Sequence, residues 1–262
     1  MKKNVLMAMS VALVGAVALG SATMTVQAAD GCGSLPGWAT LQARLTDARN
    51  AANGGLDLDM WGTIVDRDGI VCAVAFTGGV RGDQWPGSRV ISAQKANTAN
   101  AFSLKGLALS TANLYSAVQP GGSLFGLQES NPVSTTAAYG GDPANYGQSN
   151  DPMVGTRIGG VNVFGGGLAL YNSSGQIVGG VGVSGDTSCA DHEIAWRLRA
   201  GLQLDYLKAA GAGGVSGDND RRDNIIYDIK SQPFQMNGVS ASGFGHPTCI
   251  NTANPALLPA TD

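Results

Sequence analysis

The chain of 262 residues carries 16 Lys and Arg against 19 Asp and Glu, a formal net charge of −3, and only 13% charged residues. It has no basic run that could neutralise a line of phosphates, which argues against nucleic acid as a partner. Its 39 glycines are spread among alternating apolar segments without a strict period, which excludes a collagen-like chain and points to tight turns and close-packed sheet.

Residues 1–28 open with Lys2 and Lys3, run through an apolar stretch from Val5 to Leu19 and end at Val26, Gln27, Ala28. That order is expected of a removable export signal, and the protein is expected to be periplasmic or secreted. The apolar stretch is about 15 residues long where a spanning helix needs roughly 20. No later segment is apolar enough to span a membrane. Residues 29–262 are then expected to form one domain.

Within that domain Trp38, Leu41, Leu45 and Ala48 recur at helical spacing, predicting an amphipathic helix over Leu35–Ala52 that Asn53, Gly54 and Gly55 stop. MWGTIVDRDGIVCAVAFTGG reads as two strands joined at Asp66–Gly69, and PGSRVISAQKANTANAFS as a helix with Pro86 near its start. The same order returns further on. GLALYNSSGQIVGGVGVSG gives two strands around Asn172–Gly175, and SCADHEIAWRLRAGLQLDYL a helix. Two strand–strand–helix units predict an α+β fold, an antiparallel sheet flanked by helices. Between them an insertion at about 117–158 has no periodicity, and loops of that length are usually functional or mobile. An irregular tail at about 211–262 is expected to wrap the surface.

Cys32, Cys72, Cys189 and Cys249 are even in number, which in an exported chain predicts two disulfides with three possible connectivities. The preferred pairing is Cys32–Cys72, bracketing the first helix, with Cys189–Cys249, tying the tail to the core. Each would be worth about 4 kcal/mol in the chain-entropy picture. No CxxC pair supports a metal instead.

The stretch GVSGDTSCADHEIAW concentrates the chemistry. GVGVSG at 180–185 matches GxGxxG between a strand and a helix, but the second parallel strand and acidic residue of a dinucleotide fold are missing. Ser188 and Asp191 fit a helix cap, and Glu193 lies four residues before Arg197. His192 remains: either a surface or interface histidine or, kept neutral by the helix dipole, a metal or haem ligand. Lys95 and Thr98 share a helix face and could meet an anionic group; alternatively Lys95 snorkels and Thr98 bonds its own backbone. His246 lies close to Cys249, where a metal pair competes with the disulfide. No GxSxG elbow supports nucleophilic catalysis, and CxxCH, the covalent haem motif, is absent.

The VDRDG hairpin, SRVISAQKANTANAFS and GQIVGGVGVSG, over roughly 60–200, resemble the GlcG/HbpS-like haem-binding (haem-degrading) family. Lys95, Ala96, Thr98 and Ala99 match its helix motif; Gly180, Gly182, Val183, Ser184 and Gly185 match its glycine block. The resemblance implies a compact, profilin-like α+β fold, homo-oligomers and haem as cofactor; the residues themselves offer non-covalent binding, with His192, Lys95 and Thr98 as candidate cofactor-binding residues and His192 as candidate metal ligand. The insertion, the cysteines and the tail depart from the family pattern. The leading expectation is an exported haem or tetrapyrrole binding protein with weak haem-degrading activity. The competing one is a structural or interaction module that assembles into homo-oligomers without a cofactor.

Overall fold

The structure is a computed structural model and describes residues 31–232 and 235–262; the expected export signal lies outside them. Helix α1 (Trp38–Asn50) precedes the hairpin of β1 (Trp61–Asp66) and β2 (Val71–Phe76), and helix α2 (Ser88–Phe102) follows. The insertion contains only short helical turns, the longest being α3 (Thr135–Tyr139). Strands β3 (Gly167–Tyr171) and β4 (Ile177–Ser184) form the second hairpin, followed by helix α4 (Ser188–Gly201) and the single turn α5 (Leu207–Ala210). The four strands form one antiparallel sheet in the order β2-β1-β4-β3. The expected α+β fold of two strand–strand–helix units is therefore what the chain adopts.

Alternation along the strands sorts the two faces. Ile64, Ala73, Ala75, Leu168, Leu170, Val181 and Val183 pack with Leu41 and Leu45 of α1 and with Ile194, Trp196 and Leu198 of α4. Trp61, Val65, Val74 and Phe76 pack with Val90, Ala93 and Ala96 of α2 on the opposite face. The sheet is thus a middle layer between α2 and the α1/α4 pair.

The glycine block has a steric reason. A Cβ on Gly182 would lie 2.0 Å from Ser92 O and 2.5 Å from Ala96 N, and one on Gly180 2.3 Å from Ala96 O. Helix α2 therefore lies directly on β4, and small residues on both sides make the approach possible. Gly182→Ala is expected to force the two apart and to cost about 1–3 kcal/mol in urea unfolding.

Several expectations are revised. Pro86 precedes α2 by two residues and Gly87 stands at the cap, so proline does not occupy the first helical position. Helix α4 stops at Gly201, and Asp205 lies beyond it, bridged to Tyr171. The tail is not wholly irregular: it carries the hairpin of β5 (Ile229–Gln232) and β6 (Gln235–Ser240). The insertion is packed, with Ala137, Ala138, Met153 and Ile158 buried under α2.

Both preferred disulfides form, Cys32–Cys72 and Cys189–Cys249. No described helix is long and apolar enough to cross a membrane.

Candidate functional site

The turn between β4 and α4 is organised by a carboxylate from the helix it introduces. Asp191 Oδ1 accepts from the amides of Gly185 (3.0 Å) and Asp186 (2.9 Å), and its Oδ2 accepts from Lys95 Nζ at 2.6 Å. Lys95 also donates to Val183 O at 3.0 Å, and its ammonium sits 4.5 Å from the centre of the Phe164 ring. A Cβ on Gly166 would approach both Asp191 and Lys95 to 3.0 Å, so the bare glycine leaves room for this link between α2 and α4. Burial opposes both charges, pushing the Asp191 carboxyl up to about 6 and the Lys95 ammonium down, while each partner supports the other. The anion position of the glycine turn is thus filled from within, by Asp191 on the amides of Gly185 and Asp186.

The cap reading needs correction. Thr187, not Ser188, caps α4, its Oγ1 accepting from Ala190 N at 3.3 Å. Ser188 Oγ instead faces His246 Nε2 at 3.0 Å and Cys249 Sγ at 3.6 Å. The Glu193–Arg197 pair forms at 3.1 Å, but Glu193 is buried rather than on the surface.

Lys95, Thr98 and His192 are all fully buried. Lys95 does not snorkel to the surface. Thr98 Oγ1 donates to Gln94 O at 2.8 Å and accepts from Asn162 N at 2.9 Å. His192 is neither a surface nor an exposed interface residue: its Nε2 lies 3.2 Å from Asn224 Oδ1, and its ring 5.9 Å from that of Trp196. Burial pulls its pKa down to about 3, Arg199 and His246 add to the fall, and Asp223 and the Asn224 bond oppose it. A ligand reaching His192 has to displace Asn224 of the tail.

Sequence reasoning marked one wall of the open part of the molecule, the start of the insertion, and missed Tyr115 and the tail hairpin. A cleft of about 740 Å³ separates Tyr115–Ser123 from the tail hairpin, where Ile229, Val239 and Ser240 form its far wall. Behind Tyr115 stands His246, with ring centres 5.0 Å apart. Tyr115 lies in no motif, and only the glycine- and proline-rich PGGS beside it marked the region as irregular. The histidine that meets other potential ligand atoms is His246, within 4.8 Å of both sulfurs of Cys189–Cys249; His192 joins no such group among the described residues.

Among solved structures, PduOC in its haem complex is 24% identical over 62% of this chain and 89% of its own, with a TM-score of 0.42. Klebsiella pneumoniae protein ORFY is 25% identical over 64% and 90%, with a TM-score of 0.40. A double mutant of Streptomyces reticuli HbpS is 17% identical over 73% and 97%, with a TM-score of 0.38. No curated protein matches the chain. The model of the family described as haem degrading protein HbpS-like matches residues 38–200, more than half of the chain and the span from α1 to the last turn of α4. The chain belongs to the HbpS-like family.

Proposed function

We propose that the protein binds haem or a related tetrapyrrole outside the cytoplasm, as a disulfide-stapled homo-oligomer. The observation that carries this reading is membership of residues 38–200 in a family described by haem degradation. Two disulfides suit an oxidising compartment.

The open cleft is the best-fitting place for the group. Its 740 Å³ falls inside the range of about 300–1,000 Å³ common for small-molecule sites. Ala117, Pro120, Ile229 and Val239 offer apolar walls, and Gln119, whose Nε2 keeps one N–H beyond its bond to Tyr115 O, offers a hydrogen bond for a carboxylate, whereas Ser116 and Ser240 already donate to Gly245 O and Asp228 Oδ1. Tyr115 lines it, and a tyrosine phenol is an established type of haem-iron ligand. Bound haem would supply the redox chemistry. The chain's own part is to hold it, keep water off one face, and present Tyr115.

Titration with hemin tests this. A shifted Soret band saturating at one haem per chain is expected, with Tyr115→Phe weakening binding and altering the band. A band that survives Tyr115→Phe but not His192→Ala would move the site to the buried α2/α4 junction. No spectral change at micromolar hemin overturns the proposal. Slow, peroxide-dependent loss of the same band is the accompanying activity we infer. The internal pairing of Lys95, Thr98 and His192 favours the second reading, a cofactor-free assembly module; light scattering showing large assemblies without a bound chromophore would select it.

A further inference from the structure

We propose that reduction of Cys189–Cys249 converts the start of α4 into a divalent-metal site of Cys189, Cys249 and His246, selective for zinc-like ions. This rests on the tail junction and is independent of the haem reading.

Three features of the cluster point to a metal. The two sulfurs and a ring nitrogen of His246 lie within 4.8 Å of one another. His246 is held as metal-binding histidines are: Nδ1 is 2.7 Å from Pro247 O, so the carbonyl fixes the proton on Nδ1 and turns the Nε2 lone pair towards Ser188 and the sulfurs. Cys249 Sγ already accepts the Cys189 amide at 3.3 Å, with the Ser188 hydroxyl at 3.6 Å, the kind of donors that stabilise a thiolate.

Geometry permits the change. Tetrahedral zinc with Zn–S of about 2.3 Å needs sulfurs about 3.8 Å apart. The Cα atoms stand 6.0 Å apart, so rotation about the two Cα–Cβ bonds opens that gap without moving the backbone. Two thiolates and one imidazole leave a fourth position, which Ser188 Oγ or water can fill. The second cysteine group, Cys32, Cys72 and Asp66, contains no histidine, and Asp66 Oδ1 is already taken by the amides of Asp68 and Ile70.

The reductant is a dithiol. Its thiolate attacks Cys249 Sγ, which belongs to a half-buried residue, and expels Cys189 as a thiolate. Cys189 is buried in the first turn of α4, where the helix amino terminus favours negative charge and makes it the better leaving group. The second thiol then attacks the mixed disulfide, freeing Cys249 and leaving the reductant as a disulfide. Two electrons pass to the protein, and two protons are released as the metal takes both thiolates.

The test uses the full chain carrying Cys32→Ser and Cys72→Ser, so that one disulfide remains. After reduction with a non-chelating phosphine, one Co²⁺ per chain should bind with a thiolate charge-transfer band, and Zn²⁺ should displace it. The oxidised protein should show neither. His246→Ala should weaken binding at least about tenfold, and Cys189→Ser with Cys249→Ser should abolish it. A reduced protein that binds no Co²⁺, binds it equally well after His246→Ala, or loses its near-ultraviolet circular dichroism even with metal present overturns the proposal.

Discussion

Replacing Asp223 by alanine is expected to cost the fold about 3–5 kcal/mol, as a lowered midpoint in chemical denaturation with unchanged slope. Asp223 Oδ1 and Oδ2 receive two hydrogen bonds from the Arg199 guanidinium, at 2.9 and 2.6 Å, and neither residue has any exposure. Arg199 also donates to Ala169 O and lies 4.5 Å from the centre of the Trp196 ring. Removing the carboxylate leaves a guanidinium, which stays protonated, inside the protein. The magnitude comes from that stranded charge and not from the net worth of the pair. The double change Arg199→Met with Asp223→Leu should recover most of the loss, because two apolar groups of similar bulk strand nothing. A double variant as unstable as Asp223→Ala would show that the tail is held by something else.

Acid should weaken the protein well before its exposed carboxylates titrate. His192 falls from its ordinary value of 6.5 to about 3 on folding, first because it is buried. His192 Nε2 lies 3.2 Å from both Asn224 Oδ1 and the Ile225 amide, while buried Nδ1 has no partner. The charged ring carries N–H on both nitrogens, so its Nδ1–H would have nothing to accept it. The unfolded chain binds that proton more readily than the folded one, so stability is fully present above pH 6.5 and drains away as pH falls towards 3. At about 1.4 kcal/mol per unit, the loss over that window is on the order of 5 kcal/mol. Arg199, Asp223 and His246 face the same ring, so the slope belongs to the group rather than to one residue. Urea midpoints between pH 7 and 4 measure it. His192→Gln should flatten the dependence, and an unchanged slope in that variant would place the acid sensitivity elsewhere.

The layers were legible in the sequence and the joints between them were not. Alternation in WGTIVD and VCAVAF, and the three-and-four spacing of Leu41, Leu45 and Ala48, report which side of an element is buried, and burial is what builds the core. Gly180, Gly182, Ala96 and Ala99 were readable as a motif because close approach admits few residue types. Lys95, Arg89 and Arg199 were not readable. A periodicity argument sees a charge and assigns it to water, whereas each is paired inside: Lys95 with Asp191, Arg89 with Asp151, Arg199 with Asp223. Their partners lie 24 to 96 residues away, and no local spacing encodes that. His192 was misjudged for the same reason: the segment that covers it arrives 32 residues later as Asn224. Tyr115 and the far wall of its cleft depend on where the tail hairpin comes to rest, so only the aperiodic start of the insertion marked the open part of the molecule.

The far-reaching tail contacts have a consequence for when the protein can fold. Trp196 Nε1 bonds Pro259 O, Asn224 seals His192, and Cys189 waits for Cys249. A chain emerging residue by residue holds α4 for some 60 positions before its cover exists, its buried arginine and histidine meanwhile in water. Closure over such separations is slow. The cover of α4 is thus completed only once nearly the whole polypeptide is available.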